Sequence, residues 1–494
     1  CPARKGGQRK QSRAYHRMES EPGLHKLLSN ESGIKGALDP LLQWAEKQVP
    51  RADHGNTPLF LLATAGVRKL ESEDAEWLLD KAWAVLERSP FMCKRSWVKV
   101  ISGTEEAYYG WVSLNYNFGR LGQTTKQLTL GALDLGGSSL QVTFESEEVQ
   151  DKDYQVNLSV GSTEHHLYAL SHAGFGLNDA FDKSVALVLK RSDGVVEGKR
   201  QELEHPCLHK GFRAKYRCLH CRSNPAVMPN PAAQKMYPDN GQPELTLVGK
   251  PDWESCNALA SAIINNASMF SPSISSLQSV GCDSEHPCAL GRHQPEPEGK
   301  FYALSGFFVV YKFFGLRSDA SFSELLEHGK AFCEKPWQIA LDGVVPQPLV
   351  EHYCFRAPYV VSLLQDGLHL KEEQITVGSG DITWTLGAAL LEAGAFSPSP
   401  ASRYQGFPAS RGTLSWDAVI ISVLVLIMMA LFLFTLKYFL HCFPFGGWKS
   451  QSPLGPSRYS PSYFARLRLG KLETGVWNGK SLQNFVAISE PQDC

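Results

Sequence analysis

The run Asp134-Leu-Gly-Gly-Ser-Ser139 separates two apolar strand patterns. Glycines let a backbone approach a phosphate closely, and successive N–H groups form an anion nest. A carboxylate at a strand end, Asp134, can hold a divalent cation through water. A serine just past the turn can bond a phosphate or an attacking water. Taken alone, the run also fits an ordinary Gly-rich hairpin. A second stretch, Ile101-Ser-Gly-Thr-Glu-Glu106, sets two adjacent carboxylates directly after an apolar strand. One can point at a site while the other points away. A carboxylate beside a bound phosphate suits a general base toward water. Alone, the pair fits a Glu-enriched helix N-terminus equally well. The third stretch is Leu62-Ala-Thr64-Ala-Gly-Val-Arg68. A threonine and a glycine at a strand-to-helix turn suit oxygen or phosphate contact, although a plain turn looks the same.

The elements around these stretches follow α/β grammar. Leu38, Leu41, Leu42 and Ala45 fall at helical spacing within a helix expected over 34–48. Residues 58–64 read as a buried strand, ending in Ala65-Gly66. A helix follows at about 71–88, with Ala75, Leu78, Leu79, Ala82 and Leu86 on one face. Residues 98–101 read as the next strand. Residues 128–134 and 139–144 read as two strands joined by the Gly-Gly hairpin. Residues 195–300 hold most of the cysteines and many prolines and read as a loop-rich, stapled region. The apolar, aromatic stretch 303–314 reads as a buried helix.

The chain has 494 residues, enough for two or three domains. Lys+Arg number 49 and Asp+Glu 50, a net charge of −1. That balance argues against a nucleic-acid binder working through bulk charge. The near-neutral average hides one very apolar segment. Residues 418–436 carry no charge, and only Ser422 and Thr435 there are polar. About 20 such residues cross a hydrocarbon core, so the segment reads as a membrane span. After it, basic residues exceed acidic ones by four. By the positive-inside rule the tail is cytosolic, and the large N-terminal part lies in a secretory lumen (Golgi or later) or at the cell surface. The sequons at Asn30, Asn157 and Asn266 all precede the span, as expected of glycosylation sites on the lumenal side. Eight of the cysteines lie between 207 and 354, which fits disulfides formed in an oxidising compartment. Cys218-Leu-His-Cys221 also has the spacing of a zinc ligand pair, without an evident second pair.

Strand-ATAG-helix, strand-SGTEE and the DLGGSS hairpin, in that order, resemble the apyrases and ecto-nucleoside triphosphate diphosphohydrolases, the nucleoside phosphatase family. Residues 63–68, 101–116 and 132–144 look like its second, third and fourth conserved regions. Ala303-Leu-Ser-Gly-Phe-Phe308 and Ser379-Gly-Asp-Ile-Thr-Trp384 look like later ones. The single C-terminal span and long tail are most similar to the plant apyrase 7 branch. The resemblance implies an actin-like (RNase H-type) fold of two lobes with the active site in the cleft, plus one C-terminal transmembrane helix. Residues 1–102 would form lobe I, 103–374 lobe II with the disulfide-rich region, and 375–395 a return to lobe I. A linker (396–417), the span (418–436) and the cytosolic tail (437–494) would complete the chain.

The same resemblance implies the chemistry. The substrate would be a nucleoside di- or triphosphate, cut at its terminal phosphate with Ca2+ or Mg2+ as cofactor. Glu106 would activate water, and Ser139 would position phosphate and nucleophile. Gly136, Gly137, Ser138 and Thr64 would bind phosphate. Asp134 would hold the cation through water, with Trp384 close by. Disulfides Cys282–Cys288 and Cys333–Cys354 are implied, with Cys207, Cys218, Cys221 and Cys256 forming two more in an open pairing. Where cell-surface relatives stack an aromatic and an arginine on the base, this chain has Val309 and Leu349, which implies broad specificity or a preference for diphosphates. Nothing in 1–12 resembles the family's first conserved region, an Asp-X-Gly-Ser strand-turn. With the start at Cys1, the resemblance implies an N-terminally incomplete chain with impaired hydrolysis, and a non-catalytic nucleotide binder of the same fold as the alternative.

Overall fold

The computed structural model describes residues 18, 20, 22–121, 129–147, 154–160, 163–192, 202–221, 244–265, 295–344, 348–378 and 380–392, with the backbone of short strands at 397–398 and 486–489. The apolar segment 418–436, expected to span a membrane, and Asn266, Cys282 and Cys288 lie outside the described residues. Among the described residues no helix is long and apolar enough to cross a membrane.

The first sheet has three parallel strands in the order β13-β1-β2: β1 (Pro58–Ala63), β2 (Met92–Val100) and β13 (Val486–Ser489). β1 is apolar throughout and almost wholly buried, as a strand covered on both faces must be. α1 (Glu31–Gln48) and α3 (Ser72–Leu86) cover it with Leu38, Leu42, Leu78, Ala82 and Leu86. Between them, α2 (Ala65–Arg68) is a single turn that follows β1 directly. Within 437–494, expected to be a tail beyond the span, four residues form the edge strand β13.

The second sheet has seven strands in the order β11-β10-β3-β4-β6-β5-β12. These are β3 (Gly131–Leu135), β4 (Ser139–Glu145), β5 (Gln155–Val160), β6 (Thr163–Ala173), β10 (Phe301–Ser305), β11 (Ile375–Val377) and β12 (Ser397–Pro398). β3, β10 and β11 run parallel, while β4, β6 and β5 continue antiparallel from the hairpin. α4 (Gly103–Asn117) crosses from the first sheet to the second. On one face of the second sheet, Leu133, Leu135, Leu140 and Val142 pack with Phe181 and Val185 of α5 (Leu177–Arg191) and with Tyr359. On the other face, Ala132 and Leu304 pack with Trp111 of α4 and with Trp384. Strand alternation therefore turns Asp134, Ser139, Gln141 and Thr143 to the α4 face. All four are buried.

A small third sheet, β7-β9-β8, is built from β7 (Glu202–His205), β8 (Arg213–Arg217) and β9 (Glu244–Gly249). The core beside it takes in α6 (Trp253–Asn265), α7 (Gly306–Phe313), α8 (Phe322–Cys333), α9 (Trp337–Asp342) and α10 (Tyr353–Ser362). α11 (Trp384–Glu392) returns across α4, where a side chain at Gly387 would strike the Tyr109 carbonyl at 1.9 Å. Lys99 of β2 meets Glu392 at 3.0 Å, which ties α11 to the first sheet.

The expected helix over 303–314 is instead strand β10 followed by α7. Ser305, at φ 53°, turns the chain, and Gly306 leaves no room for a side chain against the Leu135 carbonyl, 2.6 Å away. A continuous apolar run does not distinguish a buried strand from a buried helix.

Cys333–Cys354 is bonded, as the family resemblance implied. The open pairing resolves as Cys207–Cys256 and Cys218–Cys221. The second of these removes the zinc alternative, since both sulfurs are used. Cys93 is a free, half-buried thiol, and burial pushes it up to about 11.

The core beside the third sheet also buries histidines as neutral rings. His205 donates to or accepts from Ser184 at 3.1 Å and is pushed down to about 3 by burial. His352 stacks on Phe181 at 3.8 Å and is lowered by burial, then by Arg356. Unfolding lets both rings take up protons below the ordinary histidine value, so stability is full above about pH 6.5 and falls as pH drops toward 3. Two such groups give a slope of roughly 3 kcal/mol per pH unit. Thermal unfolding followed from pH 7.5 to 4.5 should show that acid loss, and a His205→Gln variant should flatten it.

Candidate active site

β2 ends at Val100, and Ser102 caps the helix that follows. The Ser102 hydroxyl accepts from the Glu105 amide at 3.0 Å, and the Glu105 carboxylate accepts from the Ser102 amide at 2.7 Å. This capping box consumes Glu105. Glu106, one residue on, is turned inward and is 3% exposed. Arg68 of α2 holds it: Nη2 donates to Glu106 Oε2 at 3.1 Å, and Nη1 donates to the Ile101 carbonyl at 2.6 Å. The adjacent carboxylates thus have different work, one structural and one available to chemistry.

Asp134 approaches the same helix one turn further on. Its Oδ2 lies 3.9 Å from the position of a side-chain carbon at Gly110, four residues after Glu106. Residues four apart share a helix face, so Glu106 and Asp134 front the same strip between α4 and β3. Ser139 and Gln141 stand two apart on β4, facing α4. Gln141 Nε2 donates to Ser139 Oγ at 2.8 Å and to Ser171 Oγ at 2.9 Å. Ser171 in turn abuts Gly103, where an added side chain would meet it at 2.4 Å. The serine of the hairpin is therefore linked through Gln141 and β6 to the first turn of the Glu106 helix.

The hairpin itself is held at its carbonyls. Leu177 N donates to Gly136 O at 3.0 Å, Asn178 N to Gly137 O at 2.9 Å, and Gly174 N to Ser138 O at 2.8 Å. In a trans peptide the N–H points opposite to the C=O. The amides of Gly137 and Ser138 are thus directed away from α5, two in succession, an arrangement that suits an anion. Asp179, in the first turn of α5, accepts from Ser138 Oγ at 3.3 Å and pairs with Lys69.

Thr64 is buried at the N-cap of α2, and its hydroxyl makes no capping bond. Trp384 is 1% exposed and stacks on Tyr109 of α4 with ring centres 6.4 Å apart. It packs on the Glu106 helix three residues past Glu106. Asn30 is exposed and caps α1, its Oδ1 accepting from Gly33 N at 2.9 Å. Asn157 lies on β5, where its Oδ1 meets His166 Nδ1 at 2.9 Å.

The profile of the GDA1/CD39 (nucleoside phosphatase) family matches residues 4–399. The chain belongs to this family. It is similar to Probable apyrase 7 of Arabidopsis thaliana, with 46% identity over 94% of this chain and 62% of that protein. It is also similar to Ectonucleoside triphosphate diphosphohydrolase 8 of Bos taurus, with 29% identity over 82% of this chain and 80% of that protein. The chain thus spans 62% of the length of the Arabidopsis relative. The crystal structure of nucleoside triphosphate hydrolases from Neospora caninum shares the fold at a TM-score of 0.50, with 16% identity over 73% of this chain and 77% of that one.

Within this nucleoside phosphatase family chain, the structure brings Glu106, Asp134, Ser139 and the hairpin 136–138 onto neighbouring elements. Three contributors were not singled out from the sequence: Gln141, Arg68 as the partner of Glu106, and the Lys69–Asp179 pair. Period-two alternation was a signal for Gln141, two residues past Ser139. No local pattern signals a pair 110 residues apart.

Proposed function

We propose that the chain hydrolyses the terminal phosphate of nucleoside di- and triphosphates, with Glu106 as the base that activates water, in the cleft of a two-lobed, actin-like fold. The reading is carried by one observation: a buried, Arg68-held carboxylate faces the same strip as Asp134 and Ser139, beside a hairpin whose Gly137 and Ser138 amides point away from α5. The water oxygen bonds to the terminal phosphorus as the bond to the bridging oxygen breaks. The water proton passes to Glu106, and the shortened nucleotide leaves with the bridging oxygen. Ser139, fixed by Gln141, orients the phosphate, and the hairpin amides stabilise its charge.

The donors here are all oxygen: the Asp134 carboxylate and the hydroxyls of Thr64 and Ser139. Among the described residues no group of three or more His, Cys, Asp or Glu could hold a metal. That set fits a hydrated Mg2+ or Ca2+ held by one carboxylate and the substrate, not a protein cage. When bound, such an ion neutralises phosphate charge.

Phosphate release from GDP, UDP, ADP and ATP with Mg2+ or Ca2+ tests the reading. Rates within about tenfold of one another are expected, because an aliphatic Val309 offers a base no aromatic ring to stack on. A second reading, nucleotide binding without turnover, is favoured by the Arg68 guanidinium already seated on Glu106. Saturable ADP binding with no phosphate released would select it.

A further inference from the structure

Arg68 and Lys69 follow one another at the end of α2, and the structure gives them different partners. Arg68 is used on Glu106 and on the Ile101 carbonyl. Lys69 reaches from the first sheet to the second and pairs with Asp179 Oδ2. The other oxygen, Asp179 Oδ1, accepts from Ser138 Oγ of the hairpin at 3.3 Å. Two donors, one from each sheet, thus converge on the two oxygens of one carboxylate, beside the amides that suit an anion. Donors spaced to serve a carboxylate are also spaced to serve two oxygens of a phosphate.

The two partners differ in freedom. The Lys69 side chain is 44% exposed, and that of Asp179 is 8% exposed. Lysine carries a compact charge on a flexible stem, so its ammonium can change partner at small cost. A half-exposed ion pair contributes little to stability. Asp179 stays compensated if Lys69 leaves. It sits in the first turn of the 15-residue helix α5, where the helix dipole favours an anion. Lys183, one turn on, lies close enough for each to feel the other's charge.

We propose that Lys69 is a phosphate-binding residue, whose ammonium exchanges Asp179 for an oxygen of the nucleotide's phosphate beside Ser138. The proposal rests on the nucleotide-phosphatase reading for its ligand, and it adds a positive charge that closes the first sheet onto the hairpin. Asp179 is then a resting partner and a competitor of the substrate, and its removal and that of Lys69 have opposite consequences.

Calorimetric titration of the full chain with ADP, and separately with inorganic phosphate, in a Glu106→Gln background measures binding without turnover. Lys69→Leu should weaken both ligands about tenfold, the loss of one charge-assisted hydrogen bond. Lys69→Arg should stay within about threefold. Asp179→Asn, which keeps an acceptor for Ser138 but releases Lys69, should bind as tightly as the parent or more tightly. Equal weakening by Lys69→Leu and Asp179→Asn would mean a structural latch only and would overturn the proposal, as would absence of phosphate binding by the parent. If Lys69-dependent binding is found while the wild-type chain turns over no nucleotide, the phosphatase reading fails and the Lys69 assignment stands.

Discussion

Glu106→Gln is expected to lower kcat by about 10^2–10^4, while KM for the nucleotide changes little. The neighbouring change, Glu105→Gln, is expected to leave kcat within a few-fold. The contrast follows from the capping box. Glutamine replaces glutamate well at the third position of such a box, so Ser102 keeps its reciprocal bonds. At 106 the amide keeps an oxygen for Arg68 but cannot take a proton from water. Stopped-time phosphate release at saturating ADP, with thermal unfolding as a control on folding, separates the two. Equal losses in both variants, or full activity in Glu106→Gln, would remove the general base from this position.

The same pair of carboxylates shows what a sequence makes legible. SGTEE told that two acids follow a strand and that alternation or helical turning would separate them. It did not tell which would be spent on the cap, because a capping box is recognised only once the helix start is fixed at Gly103. The strands β1, β3 and β4 and the helices α1 and α3 were readable because each has one period and clear ends. The stretch 303–314 was not, since strand β10 and helix α7 share an unbroken apolar run whose boundary is a single turn at Ser305. Motif order singles out Asp134, Ser139 and Glu106, which the structure sets on neighbouring elements. Gln141–Ser171 and Lys69–Asp179 were not readable, because cross-strand register and sheet-to-sheet contact are properties of tertiary packing, and no local window contains them.

Gly176→Ala is the substitution expected to damage both fold and site most. Its backbone, at φ −70° and ψ 162°, is open to any residue, so the requirement is space and not conformation. A methyl there would lie 2.2 Å from both the Gly137 carbonyl carbon and the Ser138 nitrogen. These are backbone atoms of the hairpin, and no side-chain rotation relieves the overlap. The hairpin must move off α5 by about an ångström or more to reach ordinary contact, which stretches the bonds from Leu177 N and Asn178 N to the hairpin carbonyls. Overpacking of this kind costs about 1–3 kcal/mol. A displacement of that size at the phosphate amides lowers kcat/KM by about 10^2. Gly36→Ala is the matched control. It lies inside α1 with nothing within 4 Å of the added carbon, and it should stabilise the chain by up to about 1 kcal/mol with unchanged turnover. Thermal unfolding and phosphate release on the two variants decide the point. A Gly176→Ala chain that unfolds and turns over like its parent would show that α5 does not hold the hairpin where the phosphate chemistry needs it.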